Sequence, residues 1–155
     1  QYLGAHWTVV EEAAAQVGKT PDRSQWRIGR DVFVAKTSEE AHARARAVLG
    51  RNYTEHQRPN RLGSGLIQAT KIDPAMSDHA LTVDYMMQHI WIVGDPAECA
   101  TRIRTLYEQV GGFGHLLAIT QDPDDPAWEV ECLQLLMEEV GPRVADLTGR
   151  PPAAG

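Results

Sequence analysis

Two short apolar runs, each lying between helix patterns, constrain the fold of this chain more than any other feature. Residues 26–35 end in the run VFVA, and residues 113–120 read FGHLLAIT. Consecutive apolar residues of β-forming type indicate strands covered on both faces, which are typical of parallel sheets. Because these strands alternate with helices, the sequence predicts parallel β/α units.

Capping signals mark two of the helices. Thr37 and Glu40 match a capping box, in which the Thr37 hydroxyl accepts from the backbone of Glu40 while the Glu40 carboxylate reaches back to the cap. Asp95 and Glu98 repeat this pattern, with Pro96 at the first helical position. A double glycine then predicts the end of the second helix.

Two further helices are predicted from their period alone, over residues 6–17 and 128–144. Gly18 ends the first of them as a C-terminal capping glycine. The residues expected to face the core are Trp7, Val10, Ala14 and Val17 in the first helix, and Leu133, Leu136, Met137, Val140 and Val144 in the second.

A long segment, residues 50–88, has turn signals and no sustained period. It contains enough apolar residues to pack, so we interpret it as a partly helical excursion, of the kind that usually serves as a lid or binding loop. The following run, HIWIV, is consistent with a short strand or a buried connection, and we favour the connection. Two strands are too few for a parallel sheet covered on both faces. Either strands lie hidden in the excursion, or the rest of the sheet belongs to sequence absent here, which we favour.

Composition narrows the class of protein. The chain has 155 residues, 43% of them hydrophobic, which suits one domain with a core; we expect residues 1–147 to belong to it and residues 148–155 to form a flexible tail. A net charge of −6 without a Lys/Arg cluster disfavours nucleic acid and anionic membranes. Neither a membrane span nor a signal peptide is evident, so a cytoplasmic protein is expected. Cys99 and Cys132 are predicted to be reduced core thiols.

Three stretches in consecutive order carry a family resemblance: HWTVVEEAAAQVGKTPDRSQWRI running into VFVAKTSEEA, then DYMMQHIWIVGDPAECATRIRTLYEQVGGFGHLLAIT, and last MEEVGPRV. Together they resemble the bacterial-luciferase-like, flavin-dependent monooxygenases, particularly the limonene-monooxygenase-type branch. The resemblance implies a (β/α)₈ barrel, which typically needs about 250 residues. This chain would be its C-terminal portion. Residues 26–35 would be the seventh strand, 113–120 the eighth, and 50–88 an insertion before the penultimate helix.

The resemblance also implies an activity. Reduced flavin, most simply FMN, would activate O2 and oxygenate a small apolar organic substrate, without a metal. A separate flavin reductase and a homo-oligomer are expected, and nucleic acid and membrane partners are not. Two alternatives stay open: a deazaflavin-dependent hydride-transfer oxidoreductase of the same superfamily, and a non-catalytic barrel subunit.

Reacting groups in such barrels gather where strands end. This directs attention to Lys36 and Thr37 after the first strand, and to Thr120, Gln121 and Asp122 after the last. Capping already explains Thr37, and a turn-forming context explains Asp122. Gln121 is the candidate pocket residue, although the resemblance implies that relatives often carry a histidine near it.

Two other pairs of residues stand out. Met86 and His89 precede an apolar run. The resemblance implies that His89 lines the flavin or substrate pocket, and a methionine such as Met86 suits an adaptable apolar wall of that pocket; an ordinary core position is the alternative for both residues. Arg30 and Asp31 interrupt an apolar strand, so we expect the arginine to pair with an acidic partner on another strand. No catalytic acid or base is assigned. The histidines show no paired spacing typical of metal ligands, which disfavours a metal site.

Overall fold

The computed structural model describes residues 2–148, in which helices and parallel strands alternate. The longer elements, in chain order, are α1 (Tyr2–Gln16), β1 (Arg27–Val34), α2 (Ser38–Asn52), α3 (Arg58–Gly63), α4 (Val83–His89), β2 (Ile92–Gly94), α5 (Pro96–Val110), β3 (His115–Ile119), α6 (Pro126–Leu135) and α7 (Gly141–Val144). Short 3₁₀ turns lie at Arg23–Gln25, Leu66–Thr70, Asp78–Ala80 and Ala145–Thr148, and π turns at Tyr53–Gln57 and Leu136–Val140.

The strands form one parallel sheet in the order β2-β1-β3. This confirms the predicted parallel α/β class. The interpretation of HIWIV as a connection was wrong, because Ile92–Gly94 pairs with the last residues of β1, from Val32 to Val34. Three residues offer too few positions for a strand period to be visible in the sequence.

The central strand β1 is buried on both faces at its carboxyl end, as predicted. Phe33 packs with α2, α4 and the excursion, in a cluster that includes Leu49, Tyr53 and Trp91. On the opposite face, Val32 and Val34 pack with α5, α6 and the π turn that follows α6. Alternation of side chains along the strand divides these two clusters.

The edge strand β3 differs from its prediction. Leu116 packs against the core, but Leu117 is 50% exposed and Ile119 is 44% exposed. Their exposure has a simple cause, because no element of residues 2–148 covers that face. All of residues 50–88 are described and none of them is in a strand, which rules out hidden strands in the excursion.

In both predicted helix caps, the side chain of the cap residue accepts the expected hydrogen bond from a backbone amide of the first turn. Thr37 Oγ1 accepts from the Glu40 amide at 3.2 Å, and Asp95 Oδ1 accepts from the Glu98 amide at 2.9 Å. At the second cap, the predicted direct hydrogen bond from the Asp95 amide to the Glu98 carboxylate is replaced by two bonds through a serine. There Ser38 lies between the partners: its hydroxyl accepts from the Asp95 amide at 3.2 Å and donates to Glu98 Oε2 at 2.8 Å. This relay joins the starts of α2 and α5.

Part of each predicted inward stripe is exposed. Val10 and Val17 of the first helical segment, and Leu133 and Met137 of the last, are at least 40% exposed. Within residues 2–148, no element covers these side chains. The predicted final helix also begins earlier, at Pro126, and passes through a π turn. Residues 149–155, most of the predicted tail, lie outside the described residues.

The two cysteines are buried free thiols, as predicted. Burial raises the pKa of Cys99 to about 12. Cys132 Sγ lies 3.2 Å from the Val34 amide and accepts its hydrogen bond. Both sulfurs therefore serve as packing groups between β1 and its flanking helices.

Candidate active site

The carboxyl end of β3 lies level with the middle of β1, which brings together polar residues that are far apart in the sequence. The parallel register places Asp31 of β1 opposite Ile119 of β3. Gln121 follows β3 by two residues, and its Nε2 donates to Asp31 Oδ1 at 3.4 Å. The predicted pocket residue Gln121 therefore lies beside a charged residue of the central strand.

Asp31 is a half-buried carboxyl group in a mainly apolar strand. Burial raises its pKa above the ordinary value of 3.8, while hydrogen bonds from Gln121 and Gln57 and the positive charge of Arg61 act in the opposite direction. The neighbouring Arg30 was predicted to pair with an acidic group on another strand; no such pair forms within residues 2–148, and the pairing stays a prediction. Arg30 Nη1 donates instead to the Gly29 carbonyl at 2.9 Å, because the strand's own backbone is within reach.

The excursion contributes one residue, Gln57, to this polar cluster. Gln57 ends the π turn that follows α2, and its Nε2 donates to Asn52 Oδ1 at 2.8 Å. The same side chain acts to lower the pKa of Asp31. Gln57 Oε1 is buried and has no hydrogen-bond partner in the described part of the chain. Such π turns within helices are frequent at functional sites.

A cavity of about 170 Å³ lies between α2, the π turn and the segment after β3. An ion pair between Arg51 Nη1 and Asp124 Oδ2, 2.9 Å apart, links α2 to the loop after β3. Polar side chains dominate its lining, which includes Arg51, Asn52, Glu55, His56, Gln121 and Asp122.

The other predicted pocket residues lie elsewhere in the described chain. Met86 is 1% exposed and packs in the core cluster under the excursion. His89 is exposed, and its ring lies 4.9 Å from that of Tyr85. Neither lines the cavity beside Gln121. Their role in a pocket stays a prediction.

The remaining candidates at the strand ends have structural partners. Lys36 Nζ pairs with Glu131 Oε1 at 3.1 Å, and Thr120 Oγ1 hydrogen-bonds to Glu129 Oε1 at 3.3 Å. Thr37 is the cap of α2. These contacts hold the strand ends to neighbouring helices and require no ligand.

Sequence reasoning missed Asn52 and Gln57. They lie where α2 runs into the π turn, in the stretch NYTEHQ, which carries no periodic or motif signal. Asp31 did have a signal, since a charged residue in an apolar strand requires a partner. Among residues 2–148, no group of three or more His, Cys, Asp or Glu side chains could hold a metal ion. In the same range, no helix is long and apolar enough to cross a membrane.

Comparison with known proteins decides the family. Residues 5–112 match the model of the luciferase-like monooxygenase family. The chain belongs to this family. The match covers most of α1, β1, the whole excursion and α5, and so includes Asp31, Asn52 and Gln57 but not Gln121.

Named relatives of this luciferase-like chain are monooxygenases. It is 32% identical over 152 residues to 2,5-diketocamphane 1,2-monooxygenase 1 of Pseudomonas putida, which covers 93% of this chain and 41% of that protein. It is 30% identical over 145 residues to limonene 1,2-monooxygenase of Rhodococcus erythropolis, with coverages of 90% and 34%. The chain thus spans about two fifths of these relatives or less.

A solved structure matches the luciferase-like fold over nearly the whole chain. It is the oxygenating constituent of 3,6-diketocamphane monooxygenase from Pseudomonas putida, a type II Baeyer-Villiger monooxygenase in complex with FMN. The TM-score is 0.80 at 30% identity, covering 91% of this chain and 39% of that one. The chain therefore has the fold of one part of a larger monooxygenase structure, as the sequence predicted.

Proposed function

We propose that this chain is the C-terminal part of a flavin-dependent monooxygenase that uses reduced FMN and O2 to oxygenate a small apolar organic substrate. One observation carries the proposal: the structural match over 91% of the chain is to an oxygenating protein in complex with FMN. Relatives named for diketocamphane and limonene give the substrate class, since both names denote small cyclic, mainly hydrocarbon molecules.

The complete protein, in this proposal, closes the sheet into a (β/α)₈ barrel. β1 and β3 would be the seventh and eighth strands, residues 1–147 would belong to the barrel domain, and residues 50–88 would be its insertion. Leu117 and Ile119 support this arrangement, because an exposed apolar face on an edge strand is a face that further strands would cover. In such barrels the chemistry lies at the carboxyl ends of the strands, where Asp31 and Gln121 meet.

The residues of this chain fit one end of FMN better than the other. The polar cavity that includes Gln121 suits the polar edge of a flat ring. The loop after β3 carries Asp122, Asp124 and Asp125, whose charges would repel a phosphate. The phosphate would therefore bind to loops outside this chain. When bound and reduced, FMN supplies the electrons that activate O2.

Exclusion of water is what this chain would add to the chemistry. The excursion packs a buried cluster, including Tyr53 and Trp91, directly over the end of β1. A covered site of this kind strengthens electrostatic interactions and limits side reactions with water. Met86 and His89 lie on α4, where the excursion ends, and their proposed contribution is to the wall of the completed pocket.

A separate flavin reductase is part of the proposal. The structural relative is described as the oxygenating constituent of its enzyme, wording that implies a second constituent. A homo-oligomer and a cytoplasmic location, expected from the sequence, remain predictions. The monooxygenase names of the relatives favour oxygenation over deazaflavin-dependent hydride transfer and over a non-catalytic subunit.

The test uses the complete protein with chemically reduced FMN, O2 and a cyclic ketone such as camphor. We expect O2 uptake and a product that contains one added oxygen atom, measured by mass spectrometry. A deazaflavin arm is run in parallel. Reduction of substrate by reduced deazaflavin, with no O2 uptake in the FMN arm, would overturn the proposal, and absence of turnover in both arms would favour the non-catalytic subunit.

The 155-residue chain alone should bind FMN weakly, because most of the proposed pocket lies outside it. Titration of the isolated chain, followed by flavin fluorescence, checks this expectation. A submicromolar dissociation constant would contradict it.

A further inference from the structure

Two side-chain amides, those of Asn52 and Gln121, line the cavity, and each is held by a hydrogen bond with a residue outside the lining. We propose that this cavity binds a ligand group that both donates and accepts a hydrogen bond, with Asn52 and Gln121 as binding residues and Gln57 and Asp31 as positioning residues. The inference rests on the proposed function and deepens it, because the cavity lies at the carboxyl end of the sheet.

Each lining amide has one of its two polar ends already engaged. Gln121 Nε2 donates to Asp31 Oδ1 at 3.4 Å, so the carbonyl oxygen of this amide remains to accept. Asn52 Oδ1 accepts from Gln57 Nε2 at 2.8 Å, so the amide nitrogen of Asn52 remains to donate. Together these two amides offer one acceptor and one donor, which match a hydroxyl, an amide or an imide.

Packing alone does not explain why Gln57 and Asp31 occupy positions that are unfavourable for polar groups. Gln57 Oε1 is buried without a partner within residues 2–148, and an unsatisfied buried group in a folded protein calls for an explanation. Its amide nitrogen meanwhile donates to Asn52 Oδ1 at 2.8 Å. Asp31 is itself a charged residue in an apolar strand. Orientation of the two lining amides accounts for both features.

The size of the cavity limits what it takes. At about 170 Å³ it is smaller than the roughly 300–1,000 Å³ of whole small-molecule pockets, so it would hold one polar end of a larger ligand. Two sources share the required chemistry. One is the imide edge of the FMN ring, and the other is a hydroxyl group on an otherwise apolar substrate.

The experiment compares borneol with camphor on the complete protein by calorimetry, with FMN affinity measured separately by fluorescence. The two probes share a bicyclic skeleton, but the hydroxyl of borneol donates and accepts whereas the ketone of camphor only accepts. If the substrate is the source, borneol binds about tenfold more tightly than camphor, the worth of one hydrogen bond. The variant Gln57→Met then reduces the ratio to near one.

If FMN is the source, Gln57→Met instead weakens FMN binding about tenfold, and the borneol-to-camphor ratio is near one with and without the substitution. Gln25→Met is the matched control, because Gln25 is exposed in the 3₁₀ turn before β1. The control leaves FMN affinity and the probe ratio unchanged. Either pattern of change at Gln57 supports the inference and identifies the ligand.

Unchanged FMN affinity together with an unchanged probe ratio in the folded Gln57→Met protein overturns the inference. Circular dichroism establishes folding, and Gln57→Asn, which withdraws the amide by one methylene, replaces the first variant if that one does not fold. Product formation with reduced FMN and O2 is measured independently. Its absence refutes the proposed function, whereas the binding measurements alone decide the role of the cavity.

Discussion

β1 and β3 are neighbours in one sheet, yet their surroundings are opposite. The carboxyl end of β1 is enclosed by two separate apolar clusters, with Val32 and Val34 fully buried. On β3, Leu117 and Ile119 expose about half of their surface. The two strands are similarly apolar, so the difference lies in what surrounds them. The carboxyl end of β1 is covered by elements of this chain, whereas no element of residues 2–148 covers the face of β3 that carries Leu117 and Ile119.

The largest expected effect contrasts one residue from each strand. Phe33→Ala should lower the free energy of unfolding of the chain by about 3–5 kcal/mol, because it leaves a cavity in the core. Leu117→Ala should lower it by less than about 1 kcal/mol, since a half-exposed side chain loses few contacts. Chemical denaturation of both variants measures the difference.

The same two substitutions are expected to behave differently in the complete protein. There Leu117→Ala should cost about 2–3 kcal/mol, because the added strands would bury its side chain. Phe33→Ala should change little between the two forms. An equally small effect of Leu117→Ala in both forms would show that nothing covers this face of β3.

The sequence predicted the features that local chemistry determines. The strand β1 and the caps at Thr37 and Asp95 depend on residues a few positions apart, and all were predicted. The short strand β2 was not, because its three residues form a strand only by pairing with β1. The exposure of β3 was also missed. Apolar periodicity reports which surface should be covered, but not whether the covering elements belong to the same chain.

The candidate site was predictable only in part, for a related reason. Asp31 and Gln121 could be singled out because a charged residue interrupts a strand and a polar residue follows one. Their contact depends on the register of β1 against β3, which is a long-range property. Gln57 reaches the cluster through a π turn, and no local pattern of residue types indicated that turn.

Arg102 tests what holds α5 to α4 and to the residues that follow α4. Its guanidinium donates to the Met87 carbonyl at 2.9 Å and the Trp91 carbonyl at 3.3 Å, and it pairs with Glu98 at 3.1 Å. Arg102→Met keeps the aliphatic part of the side chain and leaves these carbonyl groups without their donor. The expected loss of stability is about 2 kcal/mol.

An exposed arginine provides the control for this substitution. Arg46 pairs with Asp84, and both side chains are more than half exposed. Arg46→Met should therefore cost less than about 0.5 kcal/mol in the same denaturation experiment. Equal losses in the two variants would show that Arg102 contributes no more than a surface charge.

Glu131 tests how strongly ion pairs hold α6 to α2 and to the residues after β1. It lies on α6 and pairs with Lys36 and with Arg44 of α2, which together lower its pKa below the ordinary 4.5. Glu131→Gln should cost about 1 kcal/mol at neutral pH. A lowered pKa in the folded state means that this stabilisation is complete above pH 4.5 and is lost as the pH falls through the folded-state pKa. Denaturation at neutral and acidic pH measures it, and a difference that persists in acid would contradict the ionic origin.

Asp31 should give the smallest effect, with the opposite sign. Burial raises its pKa above 3.8, so its ionised form is less stable in the folded protein than in the unfolded chain. Asp31→Asn removes that charge and should raise stability at neutral pH by less than about 1 kcal/mol, because the side chain is only half-buried. The penalty in the wild-type protein is fully present above the folded-state pKa and disappears as the pH falls towards 3.8, so the two proteins should converge in acid.

Asp84→Asn is the matched control for Asp31, since that carboxylate is 74% exposed and lies on the surface of α4. It should leave both the stability and its pH dependence nearly unchanged. A loss of stability in Asp31→Asn at neutral pH would mean that the charge strengthens its hydrogen bonds to Gln121 and Gln57 by more than burial costs. In that case the polar cluster would stabilise the sheet and would not need a ligand to account for the charge, whereas a gain shows a residue kept at this strand at the expense of stability.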